Sequence, residues 1–361
     1  MTRLGLYLLR RTAAGLGTLV AMVTITFLMY WALSPQPGRF VYPEGIKITK
    51  FQLQDGAHRL GADRPKLTQY ADWWWHLAHG SFGHQWTGAV LNDNKLTTTP
   101  IGPVLYPALR ETLSILLGGA VLVLILALPL GAIAGRRIGS LSDRTISLVA
   151  LVGVCTHPIV VGTLLDKLFS VHLHWTPYGG YCTFVKHAGS TGLPFTPCGG
   201  PVDWFTHLIL PWITFALLFL ALYTRMIRAS VADTIHEDYV RTARAKGGSE
   251  LRVMTRHVLP NAGLRVLTMV GMDIGTALGV AIFVEGAFGM FGLARLSVYA
   301  MVGNESISAL DLPLLLAVVT VITAIVVIGN LVVDLLYAVV DPRTGISYRP
   351  GRTKQIAAGV M

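Results

Sequence analysis

A basic segment between residues 238 and 260 has the residue types and the spacing of a surface that docks a protein partner. Four residues at i, i+3, i+4 and i+7 share a narrow face of a predicted helix: Tyr239, Thr242, Ala243 and Lys246. Three arginines beside this face can engage carboxylates or carbonyls of a partner: Arg241, Arg244 and Arg252. The pair Gly247–Gly248 predicts a turn between two short helices. Spacing alone leaves two interpretations open, a docking knob and a solvated basic loop that only sets membrane topology.

Ionisable residues inside apolar runs are a second place to look for function, because a charge in hydrocarbon is costly. Asp166, Lys167 and Asp334 lie near the ends of their runs, where a charge is cheaper to hold. Asp273 lies nearer mid-run among small residues that let a helix or a pore approach closely: Gly271, Gly275, Thr276, Ala277 and Gly279. Two interpretations stay open for Asp273, a bond to a neighbouring helix and a position on a translocation pathway.

The three cysteines indicate little about function class. Cys155 falls inside an apolar run and is expected to be a small core residue. Cys182 and Cys198 fall in one polar loop, where an oxidising compartment would permit a disulfide. His172 and His174 lie nearby, but their spacing fits no standard zinc pattern, so no metal site is predicted.

Motifs for covalent chemistry are absent from the sequence. The dipeptide Gly-Lys, which a nucleotide-binding loop requires, does not occur. Neither does a Cys-x-x-Cys pair, a His-Glu-x-x-His helix or a Gly-x-Ser-x-Gly elbow. We therefore expect a non-catalytic chain that binds no cofactor of its own.

Composition indicates that membrane-spanning helices position these residues. The chain is 53% hydrophobic and 13% charged, with a mean hydropathy of +0.57, which is too apolar for a soluble domain of 361 residues. The net charge of +10 does not indicate nucleic acid binding, because the basic residues gather beside apolar runs. Six runs are long enough to span a bilayer, at about 8–33, 112–134, 145–169, 208–226, 264–283 and 312–340. The first run is too long for a signal peptide, so it is predicted to be a retained helix.

Most Lys and Arg residues fall in segments that an inside N-terminus would place in the cytoplasm: 1–11, 135–144, 225–265 and 341–361. Both termini are therefore predicted to be cytoplasmic. The predicted organisation is an N-terminal helix to residue 33, an extracytoplasmic region at 34–110, a five-helix core at 111–341 and a tail at 342–361. The core carries an irregular external loop at 171–207 and a cytoplasmic segment at 227–263.

The extracytoplasmic region contains a predicted surface helix around residues 67–79. Trp73, Trp74 and Trp75 fall within this helix. They indicate either a helix lying in the membrane interface or packing within a small cap, and the sequence does not decide between them.

The segment 238–260 resembles the coupling motif of bacterial ABC importer permeases. That motif is Glu-Ala-Ala, three residues, Gly, nine residues, then Ile-x-Leu-Pro. Four residues keep its spacing: Ala243, Gly247, Leu259 and Pro260. Arg241 and Thr242 replace the Glu and the first Ala, and His257 replaces the Ile, as in the version of dipeptide and oligopeptide importers.

Further positions resemble the B-type permeases of that family. They are Leu60-Gly61, Gln69-Tyr70, Trp74, Gly80-Ser81-Phe82-Gly83, Thr112-Leu113, Glu285, Phe288-Gly289, Gly292-Leu293, Arg295-Leu296 and Asp341-Pro342-Arg343. Phe291 and Ala294 depart from the Pro and the last Gly of the stretch that begins at Glu285. Extra length around 87–100 and 183–200 also departs from the family and leaves the docking of a binding protein open.

The resemblance implies an all-α membrane protein with the type I importer fold, in the bacterial inner membrane. It implies a C-type permease partner, two ATPase subunits that bind ATP and Mg, an extracytoplasmic binding protein and a peptide substrate. The residues it assigns to ATPase coupling are Tyr239, Arg241, Thr242, Ala243, Gly247, Leu259 and Pro260. Asp273, Glu285 and Arg295 are the candidates for the translocation pathway.

Two other classes of membrane protein stay open on the residues alone. A secondary transporter or channel would need inverted repeats, broken helices or mid-membrane ion ligands, and the sequence shows no clear repeat or ion-ligand cluster. A membrane anchor or sensor would use the outer region as a ligand domain, for which fewer than 80 residues are modest.

Overall fold

The computed structural model describes residues 3–33, 36–42, 47–92, 95–185, 198–302 and 310–340. The elements in chain order are helices α1 (Arg3–Ala32), α2 (Lys50–Arg59) and α3 (Lys66–Ala78), strands β1 (His84–Asn92) and β2 (Lys95–Pro100), and helices α4 (Gly102–Arg136), α5 (Leu141–Cys155), α6 (Pro158–Leu165), α7 (Pro201–Thr234), α8 (Asp238–Ala245), α9 (Glu250–Val253), α10 (Leu259–Ala287), α11 (Leu293–Val302) and α12 (Leu312–Val340). Shorter turns of 3₁₀ or π helix cover Pro37–Val41, Asp166–His172 and Met254–Val258.

Within the part of the chain that the structure describes, five helices are long and apolar enough to cross a membrane by length and composition, namely α1, α4, α7, α10 and α12. They coincide with five of the six predicted runs; the bounds of α12 are those predicted, whereas α4, α7 and α10 extend beyond theirs at both ends. Helix α7 begins at Pro201 and ends at Thr234, so it includes residues that we had predicted to lie in loops. The predicted tail at 342–361 lies outside the described residues.

The third predicted run is not one helix. It divides into α5 and α6, and Thr156 and His157 between them have extended backbone conformations. Pro158 explains the division, because proline donates no backbone hydrogen bond and disfavours a helical conformation in the residue before it. Cys155, which we expected in the core, is exposed at the end of α5, so that prediction was wrong.

Small residues let α4 and α7 pack closely along most of their lengths. Every fourth residue of α4 is buried: Ile115, Gly119, Val123, Ala127, Gly131 and Gly135. A β-carbon at Gly131 would lie 2.6 Å from the β-carbon of Ile227, and one at Gly135 would lie 2.6 Å from the carbonyl oxygen of Arg228. Close backbone approach at such positions stabilises helix pairs in lipid, where the hydrophobic effect contributes little.

The segment before α4 forms a packed cap on α1, α11 and α12. Aromatic side chains of the cap pack with buried aromatics of α1 in one cluster: Phe40, Trp73 and Trp86 with Phe27 and Tyr30. Trp73 is buried, whereas Trp75 is 66% exposed. The predicted surface helix is confirmed as α3, and its tryptophans divide between cap packing and an exposed face.

The cap also contains a short antiparallel hairpin, a small addition to the mostly helical fold that the sequence predicts. Strands β1 and β2 pair from Asn92 opposite Lys95 to His84 opposite Pro100, with an irregularity between Gln85 and Val90. The Thr-rich run at 97–99 favours extended structure, and β-branched residues pack well on a pleated surface. The hairpin is tied to the bundle by Asp311, whose carboxylate accepts a hydrogen bond from the backbone N–H of Thr87 at 2.6 Å.

Ion pairs join the helices at the end of the bundle that we predicted to be cytoplasmic. Arg228 on α7 donates two hydrogen bonds to Asp143 at the start of α5. The Arg228 guanidinium, followed by the N–H of Gly139, lowers the pKa of Asp143 to about 2, so this carboxylate remains charged at neutral pH. Arg265 pairs with Asp233 at 2.7 Å and links α10 to α7 in the same layer.

Candidate functional site

The first part of the candidate site is helix α8 and the turn that ends it. Gly247 has φ of +82°, a conformation that glycine adopts without strain. Its N–H donates to the carbonyl of Arg244 at 2.9 Å, and the N–H of Gly248 donates to the carbonyl of Ala243 at 3.2 Å. These two bonds form a Schellman motif, which closes the C-terminus of α8 and fixes the direction in which the chain leaves it.

The second helix of this segment is not a separate short helix, contrary to the prediction. Helix α9 passes through the π-helical turn Met254–Val258 directly into α10, which begins at Leu259 with Pro260 in its first turn. The wider turn accommodates the proline, which has no N–H to donate in a regular helix. The segment is therefore rigidly continuous with the membrane-spanning helix α10.

The inner face of the segment packs against the bundle. Val240, Val253 and Val258 are almost completely buried in a cluster that includes Val231 and Ile235. Ala243 lies partly buried against the same cluster. The Tyr239 hydroxyl accepts a hydrogen bond from the side-chain amide of Asn261 at 2.8 Å, which ties α8 to the first turn of α10. This packing excludes a loosely solvated loop for the described segment.

The outer face of the segment is exposed and basic. It presents Arg241, Thr242, Lys246 and Gly247, together with Leu251, which is 75% exposed. Arg244 was predicted to lie beside this outer face, but the structure does not place it there. Its guanidinium donates to Glu250 at 2.8 Å, and Glu250 also lies 3.5 Å from Arg136 at the end of α4. A basic rim around one exposed leucine is the surface expected for docking an acidic, grooved partner.

The second part of the candidate site lies at the opposite end of α10, around Glu285. This carboxylate is fully buried and accepts hydrogen bonds from the Thr112 hydroxyl at 2.6 Å and from the backbone N–H of Arg295 at 2.8 Å. Thr112 in turn accepts from the N–H of Leu293 at 2.7 Å. Glu285 and Thr112 thus cap the N-terminus of α11 and join it to α4. Complete burial corrects the prediction that Glu285 lines a pathway, because the side chain has no access to an aqueous route.

Arg295, the second pathway candidate, points outward from α11. The Arg295 guanidinium lies 5.8 Å from the ring centre of Phe291, and its Nη1 atom donates to the carbonyl of Met290 at 3.3 Å. The backbone N–H of Phe291 donates to the carboxylate of Glu111 on α4 at 2.8 Å. Glu111 and Glu285 therefore hold both sides of the loop that presents Arg295 and Phe291.

Asp273, the third pathway candidate, lies within the bundle on α10. The hydroxyl of Tyr223 on α7 lies against its carboxylate. Its Oδ2 atom is buried and has no hydrogen-bond partner among the described residues. Of the two interpretations left open by the sequence, this geometry favours contact with a neighbouring helix.

The segment between His172 and Pro201, which we predicted to be an external loop, contains two of the cysteines. Cys182 and Cys198 are joined by a disulfide bond in the structure. The Nε2 atom of His207 lies 3.3 Å from the Cys182 sulfur. Within the described ranges, no group of three or more His, Cys, Asp or Glu side chains is arranged to hold a metal ion.

The sequence did not indicate which residues form hydrogen bonds to Tyr239, Arg244 and Phe291. Asn261, Glu250 and Glu111 carry no motif, and their roles depend on residues distant in sequence. Thr112 and Glu285 were both noted in the resemblance, but their contact across 173 positions is visible only in the fold. Their polarity beside the ends of two apolar runs was the one signal that could have paired them.

Comparison with known proteins gives consistent matches over most of the chain. Residues 127–346 match the profile of a family described as the binding-protein-dependent transport system inner membrane component. A putative peptide permease protein of Brucella ovis is 32% identical over 94% of this chain and 99% of its own length. The oligopeptide transport system permease protein AppB of Bacillus subtilis is 31% identical over 93% of this chain and 98% of its own.

Two further similarities complete the comparison. The dipeptide transport system permease protein DppB of Escherichia coli K12 is 30% identical over 93% of this chain and 98% of its own. A solved chain of the MetNI methionine ABC transporter in an inward-facing conformation covers 66% of this chain and 96% of its own, with 14% identity and a TM-score of 0.48. Because that score is low, the family assignment rests on the sequence matches alone.

Proposed function

Since the chain belongs to the family of binding-protein-dependent transport system inner membrane components, we propose that it imports dipeptides or oligopeptides. It is a multi-pass subunit of the bacterial inner membrane and has the type I permease fold of ATP-driven importers. An ATPase and a substrate-binding protein are its partners in transport. The peptide substrate is supported by the names of the relatives, which are peptide, oligopeptide and dipeptide permeases.

The observation that carries the coupling proposal is the docking segment of residues 238–260. Its inner face is packed, its outer face is basic and exposed, and it continues without interruption into α10. Helix α10 has 29 residues and is therefore about 43 Å long at about 1.5 Å per residue. A displacement of the segment by a closing ATPase dimer would move α10 as a rigid lever and shift the populations of inward- and outward-facing states.

The finer assembly belongs to the same proposal. A C-type permease completes the pathway, two ATPase subunits bind ATP and Mg, and this chain holds no nucleotide and catalyses no reaction itself. Both termini lie in the cytoplasm. Arg295 is proposed to act at or beside the pathway, Asp273 to join α10 to α7 within the bundle, and Glu285 to hold α11 in place.

Reconstitution of the complex in proteoliposomes tests the proposed function. With both permeases, the ATPases and the binding protein present, labelled di- and tripeptides should accumulate only when ATP is supplied. Vesicles that lack the ATPases are the control, because a secondary transporter or channel would still move peptide in them. Peptide uptake without ATPases, or ATP-driven uptake of another solute class alone, would contradict the proposal.

Replacing Gly247 by valine is expected to uncouple transport while the chain still assembles. A β-branched residue is strained at φ of +82°, so the Schellman turn would shift and displace the docking surface. A β-carbon at this position meets no atom within 4 Å, so packing of the bundle should not change. We expect peptide-stimulated ATPase activity to fall by about tenfold, which corresponds to about 1.4 kcal/mol.

Gly247→Asn is the matched control, since asparagine tolerates the left-handed conformation. It should retain most of the stimulated activity, and both variants should reach wild-type levels in the membrane. Equal stimulation of Gly247→Val and wild type would show that the turn does not couple the ATPase.

A further inference from the structure

The break between α5 and α6 places an ionisable side chain part-way along the run at 145–169, which we predicted to span the membrane. The break follows 15 helical residues of α5 and precedes 15 residues of α6 and its π-helical extension. His157 occupies the break, and its side chain is exposed on the surface of this chain. Interrupted helices at membrane depth are tolerated where they line a cavity, and ionisable residues there mark transport pathways.

The hydrogen bonds around His157 determine which of its nitrogens is available. Nδ1 accepts from the backbone N–H of Ile159 at 3.4 Å, which caps the first turn of α6. The proton of the neutral imidazole therefore lies on Nε2. The carbonyl of His157 is also engaged, because the N–H groups of Val160 and Val161 both donate to it. The Nε2–H group is therefore the polar group of His157 that remains available to a ligand, because its Nδ1 and its carbonyl oxygen both already accept hydrogen bonds.

The face of α10 that packs against the His157 ring has open space on either side of that contact. The rings of His157 and Phe283 pack in a T-shaped arrangement, with 4.5 Å between their centres and an angle of 78° between their planes. Gly279 and Gly286 flank Phe283 one helical turn away on either side. A β-carbon at either glycine would meet no atom within 4 Å. The imidazole therefore borders an open, glycine-lined surface, with one aromatic ring to orient it.

Hydrocarbon is a poor environment for this group. An imidazole N–H facing lipid has no acceptor, which is unfavourable in a medium without water. A hydrated route between subunits would supply an acceptor for this N–H group. The surface of His157, Phe283 and the two glycines is thus better suited to the translocation route than to lipid.

We propose that His157 is a substrate contact on the translocation route, donating from Nε2 to the C-terminal carboxylate of a passing peptide. The Nε2–H group of His157 requires a hydrogen-bond acceptor on the substrate. The positive, N-terminal end of the α6 dipole favours an acceptor that carries a negative charge. The carboxylate is the anionic group that every free peptide carries. This inference rests on the proposed peptide import, which the experiment tests separately.

The test compares His157→Asn with wild type in proteoliposomes that contain the complete complex and saturating binding protein. Asparagine preserves the helix cap but ends closer to the backbone, so α6 should still fold. Uptake of the free tripeptide Ala-Ala-Ala is expected to fall by about tenfold, as for loss of one charge-assisted hydrogen bond. Uptake of its C-terminal amide should change by less than twofold. Thr163→Val is the matched control, because the Thr163 hydroxyl is satisfied by the carbonyls of Ile159 and Val160 on the same helix.

The outcomes separate the two proposals. If wild type imports no peptide, the proposed function fails and this inference fails with it. If wild type imports the free peptide and His157→Asn matches it within twofold, only the role of His157 is overturned. An equal loss for acid and amide would also overturn carboxylate recognition. If the wild-type complex does not import the amide, the comparison uses the uptake rate of the free acid alone. A loss of about tenfold in His157→Asn then supports the proposal, and a rate within twofold of wild type overturns it. His157→Leu, which removes both cap and donor, should be at least as impaired as His157→Asn.

Discussion

Replacing Glu285 by alanine should prevent the chain from accumulating as a folded membrane protein. The substitution removes the acceptor for the Thr112 hydroxyl and for the N–H of Arg295, both of which are 2.8 Å or less from the carboxylate. Each buried donor left unsatisfied costs about 1–3 kcal/mol, so the expected loss is about 2–6 kcal/mol. The site is fully buried, so water cannot replace the lost oxygens. The measurement is the melting temperature and yield of the detergent-purified chain.

Two substitutions at Thr112 separate the hydrogen bonds from the volume of the side chains. Thr112→Ser keeps the hydroxyl that donates to Glu285 and accepts from Leu293, so it should stay close to wild type. Thr112→Val keeps the shape but loses both bonds, and it should resemble Glu285→Ala in direction. A wild-type melting temperature for Glu285→Ala would show that this network does not stabilise the described fold.

The same network explains how the two ends of the candidate site can act together. The docking segment leads into the start of α10, and Glu285 lies two residues before its end at Ala287. Glu285 caps α11, which presents Arg295 and Phe291 at the surface. A movement of α10 would therefore carry α11 with it, since a buried carboxylate with two donors resists separation. The network around Glu285 thus connects α10, which continues from segment 238–260, to α11 and α4 at the opposite end of the bundle.

The sequence predicted the membrane class and the glycine turn of segment 238–260 because both depend on local pattern. Five apolar runs became spanning helices, and Gly247 adopted the positive φ that its turn requires. The spacing of Ala243, Gly247, Leu259 and Pro260 indicated the family that the comparisons then showed. Helix length, glycine turns and motif spacing are properties of a few neighbouring residues, which a sequence shows directly.

The features that escaped prediction depend on contacts between distant residues. Hydrophobicity did not reveal that α5 and α6 are separate, since both are apolar and only Pro158 marks the break. The burial of Glu285 depends on Thr112, and the exposure of Cys155 depends on which face of α5 meets α7. The hairpin of β1 and β2 arose in added length outside the resemblance, where a single sequence offers only weak strand propensity.

Gly135→Leu should disrupt the packing of α4 on α7 and abolish assembly of the bundle. A β-carbon at Gly135 would lie 2.6 Å from the carbonyl oxygen of Arg228 and 2.9 Å from the β-carbon of Val231. The first obstacle is backbone, so no rotamer change can relieve it, and the helices must separate. Overpacking of a close-packed core typically costs about 1–3 kcal/mol, and a backbone clash belongs at the upper end or beyond. Separation here would also strain the ion pair of Arg228 with Asp143.

The measurement is the fraction of chain that elutes as a monodisperse species after mild detergent extraction. Ala120→Leu is the matched control, since it adds more bulk than a methyl group to the exposed face of the same helix. Gly135→Ala should give an intermediate loss, because it introduces the clashing β-carbon without the branched side chain. Monodisperse Gly135→Leu at wild-type yield would mean that α4 and α7 are not held by close contact at this position, and the row of small residues would then need another explanation.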